Sequence, residues 1–352
     1  MALFKKIFSK KEDKVSKGFY LLTVDKVEKN TSDTAVVSLT IPEELRSTFQ
    51  FKPGQYLTGN FKTSQGNFHR SYSICSDSAD NSTIQIACKK IEGGKVSSHI
   101  NDQLQAGTQI EFMKPEGNFI LDSNAKKVTA ICAGSGITPI MSMIQYIERV
   151  GGQMDLFYGS RNENEKIFKS EIDRTSDKIS KNYFLSGENK DGFIEGRITP
   201  KTLEEKVDLN SDAFYLCGPE GLIFSTKDFL VEKGVPENKI RFELFTTPVS
   251  VKAKDIKSGS ATCHVAVTLN GETNEMDVDT SKMLLDSFYK NGMEAPFSCK
   301  GGVCCTCKAK VQEGSAEMKL NLSLTDKEIE EGYILTCQAV ATSDTLKLTF
   351  DE

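Results

Sequence analysis

The chain has 352 residues, of which 38% are hydrophobic and 26% are charged, and its formal net charge is −5 at pH 7. These values are typical of a soluble globular protein of two or three domains, and the acidic balance argues against nucleic-acid binding. An apolar run of about 18 residues and a secretory signal are both absent, so we expect no transmembrane segment and a cytoplasmic location.

Residues 1–17 form a basic N-terminal tail. Its apolar positions, which would share one side of a short helix opposite lysines, are Leu3, Phe4, Ile7 and Phe8. Such a helix suits peripheral contact with an anionic membrane or with a partner. The alternative is a frayed basic terminus without a fixed structure.

Residues 18–122 carry the pattern of short β-strands separated by Gly and Pro. The segments with β-branched or alternating residues are 21–24, 35–39, 84–88 and 109–112. Many short strands with such turns predict an antiparallel β-barrel.

Two short motifs in this region suit a phosphate-bearing ligand with a flat ring. The first, R-S-Y-S at 70–73, combines an arginine for phosphate, a tyrosine for stacking and serine hydroxyls for hydrogen bonding. The second, G-G-K-V-S-S-H at 93–99, precedes a predicted helix whose N-terminus can bind a pyrophosphate. Each motif alone also occurs by chance, and Gly-Gly usually marks only a turn.

Residues 123–247 change to alternating strands and helices. A buried-type strand at 127–132 runs into G-S-G-I-T-P at 134–139 and then into an amphipathic helix, the context in which a glycine turn binds a dinucleotide. The turn has the form Gly-x-Gly-x-x-Pro, so it lacks the third glycine of the standard fingerprint. A second strand and turn, A-F-Y-L-C-G-P at 213–219, would bring Cys217 to the same sheet edge, although a free cysteine is more often simply buried.

After a linker rich in Lys, Ser and Gly at 248–259, residues 260–352 are acidic, with 15 Asp or Glu against 8 Lys, hence a net charge of −7. This charge suits docking on a basic partner surface or serves solubility alone. The cysteines in the spacing C-x4-C-x2-C…C are Cys299, Cys304, Cys307 and Cys337. That is the ligand spacing of a plant-type 2Fe–2S cluster, and Gly301 and Gly302 suit a loop folded closely around it.

Other uses of these cysteines fit the pattern less well. A structural zinc site usually shows two C-x2–4-C pairs, whereas here one cysteine is isolated, and Cys305 between two ligands is expected to point away. Ten cysteines in 352 residues without a secretory signal also disfavour a disulfide framework. Zinc and reduced structural thiols remain the alternatives.

In their order along the chain, these motifs resemble the ferredoxin–NADP reductase family, and residues 260–352 resemble a plant-type ferredoxin domain. The resemblance implies that Arg70 holds the flavin phosphate, that Tyr72 packs on the flavin ring and that Ser73 lies near flavin N5. It further implies an FAD pyrophosphate site formed by Gly94, Val96 and Ser97. The residues that it implies for the pyridine nucleotide are Gly134, Gly136, Thr138, Pro139, Cys217, Gly218 and Pro219.

Cys217 would sit beside the nicotinamide, and the segment 241–248 would end near the flavin. There, Glu243 or Phe245 would shape the nicotinamide face, with an ordinary closing strand as the alternative. NADP-using members often carry Ser-Arg after the third strand of this domain. Here the sequence of 185–188 is L-S-G-E, so NADH is slightly favoured unless Arg161 or Arg197 substitutes.

The expected fold is therefore multidomain: an antiparallel β-barrel for FAD at 18–122, an α/β parallel-sheet nucleotide domain at 123–247, and an α+β β-grasp ferredoxin domain at 260–352. The resemblance implies an NAD(P)H-dependent reductase that passes electrons through FAD and a 2Fe–2S cluster to a protein acceptor. The domain order resembles reductases that serve oxygenases, epoxidases and desaturases, and a diiron oxygenase or a desaturase is the expected acceptor.

Two alternatives to this function remain. A reductase for a hybrid-cluster or haem protein would share the same modules. A non-catalytic iron–sulfur redox sensor is the alternative from a different class, but a bare scaffold would not need the intact motifs at 70–73 and 134–136. The histidines His69, His99 and His264 have no metal-like spacing, so we expect the final substrate to bind another protein.

Overall fold

The computed structural model describes residues 15–16, 18–256 and 261–351. The predicted helix in the N-terminal tail and the linker residues 257–259 lie outside this part of the chain. None of the helices within it is long and apolar enough to cross a membrane.

An antiparallel six-stranded sheet forms the first part of the chain, as the strand pattern predicted. Its strands are β1 (Tyr20–Thr31), β2 (Thr34–Thr40), β3 (Tyr56–Thr63), β4 (Gly66–Ser73), β5 (Thr83–Lys89) and β6 (Gln109–Phe112), and helix α1 (Lys95–Asp102) follows β5. The spatial order is β4-β3-β6-β1-β2-β5, and an antiparallel bridge between Ile74 and Ile86 brings the two edges together. This closure leaves the inward-facing aliphatic and aromatic side chains in one buried cluster.

A parallel six-stranded sheet forms the second part. Its strands are β7 (Lys127–Ala133), β8 (Gln153–Ser160), β9 (Ile179–Leu185), β10 (Ile194–Glu195), β11 (Ala213–Cys217) and β12 (Ile240–Glu243). Its helices are α2 (Ile137–Val150), α3 (Lys169–Asp173), α4 (Pro200–Glu204) and α5 (Glu220–Glu232). The order β10-β9-β8-β7-β11-β12 places β7 and β11, which carry the two predicted nucleotide turns, side by side.

Both faces of this parallel sheet are covered, which explains its nearly continuous apolar strands. Every residue of β11 is buried, and so are the five central residues of β7. One of the two buried clusters also contains Val36, Cys75 and Ala87 of the antiparallel sheet. The first two sheets therefore share part of one core.

A mixed five-stranded sheet forms the C-terminal part, in the order β14-β13-β19-β15-β17. Its strands are β13 (Thr262–Leu269), β14 (Glu272–Asp279), β15 (Lys308–Glu313), β17 (Tyr333–Leu335) and β19 (Thr345–Thr349). A small ribbon pairs β16 (Ala316–Met318) with β18 (Ala339–Ala341), and the helices are α6 (Leu284–Lys290) and α7 (Asp326–Glu330). The segment between α6 and β15, which carries three of the four predicted ligand cysteines, has no regular secondary structure.

Candidate functional site

Strand β4 presents the R-S-Y-S motif at the mouth of the barrel. In the β3–β4 ladder, Tyr56 pairs with Ser73 and Leu57 pairs with Tyr72. The Tyr72 ring packs edge-on against Phe61, with the ring centroids 5.7 Å apart. Burial raises the pKa of the Tyr72 phenol well above its ordinary value, so this ring is a neutral stacking surface at physiological pH.

Two cations flank the expected FAD phosphate position. Arg70 and Lys95 both lie over the Phe68 ring, with Arg70 Cζ at 5.7 Å and Lys95 Nζ at 4.9 Å from its centroid. Lys95 opens α1, whose first-turn N–H groups have no intrahelical partners. The motifs at 70–73 and 93–99 thus each bring a cation to the same ring, and this pair suits a phosphate.

Gly94 precedes α1 at a position where a side chain would not fit. A Cβ there would stand 2.3 Å from Ser97 Oγ and 2.9 Å from the Ile91 carbonyl oxygen. Ser97 Oγ accepts a hydrogen bond from the Ile91 N–H at 3.1 Å, so this hydroxyl closes the turn itself. The Gly94 N–H donates to the Ile91 carbonyl at 2.9 Å, so the N–H groups of the first turn of α1, rather than Gly94 or the Ser97 side chain, suit a pyrophosphate.

The two predicted nucleotide turns touch each other. A Cβ on Gly136 would stand only 2.1 Å from the carbonyl oxygen of Cys217, and Cys132 is the register partner of Cys217 in the β7–β11 pair. Gly134 has a φ of +56° and open space above it. A glycine turn over open space at the carboxyl edge of a parallel sheet fits a dinucleotide pyrophosphate.

The other residues predicted at this turn have structural contacts of their own. Thr138 Oγ1 donates to the Ser135 carbonyl at 3.0 Å, and both Thr138 and Pro139 are buried in the first turn of α2. Their side chains shape the turn. Gly218 has a φ of +154°, and a Cβ there would lie 3.1 Å from the Ala133 nitrogen, so it too permits a close approach of β7 and β11.

The three predicted catalytic residues converge from separate parts of the chain. Ser73 Oγ donates a 3.4 Å hydrogen bond to Glu243 Oε2 across the two sheets. Glu243 and Cys217 are register partners at the ends of β12 and β11. A single cleft therefore holds the end of the flavin motif, the nucleotide strand and the closing strand, whereas Phe245 is 42% exposed.

Burial keeps both ionisable groups of this cleft in their neutral forms near pH 7. Desolvation raises the pKa of Glu243 to about 8, against a small opposing effect of the Ser73 hydroxyl. Desolvation and then the neighbouring Glu243 raise the pKa of the Cys217 thiol well above its ordinary value. The cleft thus offers a protonated carboxyl, a thiol and a hydroxyl beside one another.

The segments that follow β8 and β9 bear on the choice between NADH and NADPH, because the 2′-phosphate of NADPH needs a cationic pocket. Gly187, after β9, donates its N–H to the Arg161 carbonyl at 2.8 Å, and the Arg161 side chain lies against this glycine. Arg161 is 75% exposed at its side chain, and Glu188 accepts a 3.0 Å bond from the Glu163 N–H. These segments therefore combine an exposed arginine, Arg161, with a carboxylate, Glu188, that is fixed by a hydrogen bond.

The four predicted ligand cysteines form one cluster of thiols. Cys304 Sγ lies 3.1 Å from Cys299 Sγ, Cys337 contacts both Cys299 and Cys307, and contact with Cys304 and then Cys337 lowers the pKa of the Cys299 thiol. Thiols that approach this closely, with one readily ionised, suit a site for iron. Cys305 faces away, with its Sγ directed at the Ser323 carbonyl at 3.7 Å.

The backbone around the thiols is held in conformations that a cluster needs. Lys300 and Gly302 have φ values of +53° and +73°, and the Gly301 N–H points at Cys299 Sγ at 3.3 Å. N–H donors to cysteine sulfur are a means by which proteins set cluster potentials. The residues present therefore fit a 2Fe–2S cluster.

Four hydroxyls, which sequence reasoning missed, join the cysteine loop to the flavin-motif strand. Thr58 Oγ1 lies 2.8 Å from Ser71 Oγ and 3.1 Å from Thr306 Oγ1, and Ser71 donates to Ser298 Oγ at 3.0 Å. Ser298 and Thr306 each precede a predicted cluster ligand in the sequence. We name Thr58, Ser71, Ser298 and Thr306 the hydroxyl bridge.

Further contacts reinforce the same junction. His69 Nδ1 lies 3.1 Å from the Phe297 carbonyl, and the Cys305 N–H donates to the Tyr56 hydroxyl at 2.9 Å. The adjacency of Ser298 to Cys299 and of Thr306 to Cys307 was the usable signal in the sequence. Nothing local distinguishes Thr58 from any other strand residue.

Comparisons with known proteins agree with this arrangement. Three family models match along the chain: an oxidoreductase FAD-binding domain at 21–120, an oxidoreductase NAD-binding domain at 130–228 and a 2Fe-2S iron-sulfur cluster binding domain at 267–342. The three matches follow one another along the chain in the predicted order.

Curated relatives match over nearly the whole length. The chain is 32% identical over 350 residues to a subunit of the 1,2-phenylacetyl-CoA epoxidase of Escherichia coli, covering 95% of this chain and 98% of the relative. It is 29% identical to the ferredoxin reductase component of 3-ketosteroid-9-alpha-monooxygenase from Rhodococcus rhodochrous, covering 94% and 96%. The structure of phthalate dioxygenase reductase matches the fold with a TM-score of 0.60 at 24% identity, covering 95% and 98%.

Proposed function

The chain belongs to the family of FAD- and NAD(P)-binding reductases with a C-terminal 2Fe-2S ferredoxin domain, and on that premise we propose that its acceptor is a diiron oxygenase or epoxidase. It is an oxidoreductase, the reductase component of an oxygenase system, and passes electrons from NAD(P)H via FAD and 2Fe-2S. The end-to-end match to a component of an epoxidase is the observation that carries the choice of acceptor.

Each cofactor is assigned to residues of this chain. Tyr72 and Arg70 would hold the flavin ring and phosphate, with Gly94, Val96 and Ser97 at the pyrophosphate. The nucleotide would lie on the turn of Gly134 and Gly136, and the four cysteines named above would hold the cluster. When bound, FAD takes two electrons as hydride from the nicotinamide and the 2Fe–2S cluster carries single electrons.

The cleft formed by Ser73, Cys217 and Glu243 would position the nicotinamide. The Ser73 hydroxyl is held by Glu243, and both Ser73 and Cys217 are buried. A neutral carboxyl and thiol add no negative charge beside the ring that gives up hydride. These residues therefore orient the nucleotide and hold their protons near pH 7.

The hydroxyl bridge supports transfer to the cluster. It fixes the cysteine loop directly against β4, the strand that presents Tyr72 and Ser73. Electron transfer between two sites requires that they stay close, and a largely buried network of four hydroxyls would hold this spacing.

Anaerobic titration with NADH, and separately with NADPH, tests the reductase assignment. We expect flavin bleaching followed by loss of the cluster absorbance, at lower concentration with NADH. Flavin bleaching with an oxidised cluster would mean that the two sites do not communicate, and absence of a flavin spectrum would refute the assignment.

The acceptor is tested with purified oxygenase components. We expect NADH-driven turnover with the oxygenase component of the E. coli phenylacetyl-CoA epoxidase that exceeds turnover with the oxygenase component of 3-ketosteroid-9-alpha-monooxygenase. The reverse preference would refute a diiron acceptor while leaving the reductase intact.

A further inference from the structure

Lys166 is a buried lysine that none of the roles above uses. It lies in the loop between β8 and α3 and is only 3% exposed. Its ammonium donates to the Tyr158 carbonyl at 3.1 Å and lies 4.1 Å and 4.7 Å from the ring centroids of Tyr158 and Tyr183. A carbonyl and two rings stabilise a cation, but they do not neutralise its charge.

The nearest acidic residues are engaged elsewhere. Glu163 and Asp173 both pair with Lys169, which is three residues further along the chain. In the part of the chain that the structure describes, no carboxylate oxygen lies within the 4.0 Å ion-pair distance of the Lys166 ammonium. A buried charge without a counter-ion is costly, which makes such a residue a candidate for binding an anion.

The surroundings of Lys166 lead directly to the nucleotide turn. The Tyr158 hydroxyl donates to the Gly134 carbonyl at 3.3 Å and accepts a 2.9 Å bond from the Ile167 N–H. Tyr158 therefore lies between the lysine and the turn that would carry the dinucleotide. Cys132, near the end of the strand that leads into this turn, is close enough for the Lys166 charge to act on its thiol.

We propose that Lys166 is a positioning residue that supplies buried positive charge from behind the glycine turn to the pyrophosphate of the bound dinucleotide. This inference rests on the proposed nucleotide site and adds a residue that no motif contains. The interaction acts through the protein interior, so salt screens it less than a surface contact.

The charge of Lys166 is also adjustable within the physiological range. Burial lowers its pKa to about 8, so the side chain loses its proton as pH rises through that value. An anion that binds nearby favours the charged form. Dinucleotide affinity should therefore be highest below pH 8 and fall above it.

The other ionisable groups that face Lys166 do not titrate in that window. Burial raises the pKa values of Cys132, Tyr158 and Tyr183, and hydrogen bonding raises that of Lys169. The pKa values of the two carboxyls, on Glu163 and Asp173, are lowered. A change of affinity near pH 8 can thus be assigned to Lys166 among this set.

Equilibrium binding of ADP-ribose to the full-length FAD- and cluster-loaded protein tests the proposal. ADP-ribose carries the pyrophosphate, has no nicotinamide to meet Glu243 and undergoes no redox reaction. We expect Lys166→Met to raise its Kd about tenfold at pH 7, because the variant loses a positive charge in the protein interior near the ligand. The Kd of the wild type should rise between pH 7 and pH 9, whereas that of the variant should stay flat.

The chain offers a matched control lysine. Lys178 also donates to a backbone carbonyl, that of Glu148 at 3.0 Å, but it precedes β9 at the opposite edge of the sheet. Lys178→Met should leave the ADP-ribose Kd unchanged. Adenosine, which lacks the pyrophosphate, should bind wild type and Lys166→Met equally.

A charge-retaining variant keeps the test decisive if Lys166→Met does not fold. Lys166→Arg should bind ADP-ribose at pH 7 as wild type does and should lose the weakening at pH 9, because arginine stays protonated. Equal Kd values for wild type and Lys166→Met, or a flat wild-type profile, would overturn the proposal alone. If wild type shows no saturable ADP-ribose binding, the proposed nucleotide site fails with it.

Discussion

At the scale of single residues, the chemistry of the cleft depends on side chains whose pKa values are raised by burial. Glu243 is the clearest case, because desolvation raises the pKa of its partly buried carboxyl and its polar contact is the Ser73 hydroxyl at 3.4 Å. Cys217 beside it is held as a thiol by the same burial. The carboxyl of Glu243 and the thiol of Cys217 are therefore neutral because burial desolvates them, and no sequence motif indicates this.

Glu243→Gln should stabilise the protein at alkaline pH. The folded-state pKa of about 8 exceeds the ordinary 4.5, so the folded state holds a proton that the unfolded chain has released, and wild-type stability falls as pH rises through this window. Glutamine has no proton to lose. At pH 9 the first melting transition of the variant should lie roughly 5 °C above wild type, with nearly equal values at pH 5. A lower Tm for the variant at pH 9 would contradict the buried neutral carboxyl.

Cys299→Ser should abolish bound iron and the visible absorbance of the cluster while FAD remains bound. Cys305→Ser is the matched control, because Cys305 lies in the same loop but directs its sulfur at Ser323. Iron analysis and absorbance spectra of both purified variants make the comparison. Iron loss from the Cys305 variant with retention in the Cys299 variant would reverse the ligand assignment.

At the scale of elements, the nucleotide site is made where β7 and β11 end side by side. The glycine turn after β7 lies so close to β11 that no side chain fits at Gly136. The missing third glycine of the motif is replaced by Pro139, which lies in the first turn of α2 and needs no hydrogen-bonded N–H there. The turn thus keeps the close strand contact of the fingerprint with a different residue at its end.

Gly136→Ala should weaken nucleotide binding and cost about 1–3 kcal/mol in stability, because the new methyl group meets the Cys217 carbonyl. Gly221→Ala is the control, since that glycine in α5 has open space around it and an ordinary backbone. ADP-ribose titration and thermal melts compare the two variants. Unchanged ADP-ribose affinity in Gly136→Ala would show that the turn does not meet the ligand.

At the scale of the whole molecule, the antiparallel barrel forms a junction with each of the other two sheets. The barrel and the parallel sheet share a buried core, which defines the cleft of Ser73 and Glu243. The barrel and the C-terminal sheet meet through the polar hydroxyl bridge. Val303 and Leu322 of the C-terminal part also pack against a buried cluster of the parallel sheet, so the cluster domain contacts both other parts of the molecule.

Removing the central contact of the hydroxyl bridge should slow transfer from flavin to cluster. Thr58→Val and Thr306→Val each delete one partner of the 3.1 Å contact, and each should cost about 1 kcal/mol in the stability of the junction. Rapid mixing with NADH should show normal flavin reduction and several-fold slower cluster reduction. Because the two residues share one contact, the double variant should be little worse than either single variant. Fully additive effects, or slower flavin reduction, would argue against the bridge.

Much of this protein could be predicted from local patterns. The strands at 35–39, 84–88 and 127–132 lie within β2, β5 and β7, and the cysteine spacing predicted a set of thiols that do meet. These features follow from short-range physics: alternation sets the buried face of a strand, and ligand geometry sets the spacing of cysteines in one loop. The resemblance to reductases added the three cofactors and their order.

Only the tertiary structure decided which distant residues meet. The contacts of Ser73 with Glu243 and of Thr58 with Thr306 join positions separated by 170 and 248 residues. Lys166 looks like an ordinary loop lysine in the sequence, and only the fold buries it against Tyr158 and Tyr183. Burial, ionisation and contact between domains depend on the packing of whole sheets. The local sequence around a hydroxyl or an ammonium group therefore does not predict the environment of that group in the fold.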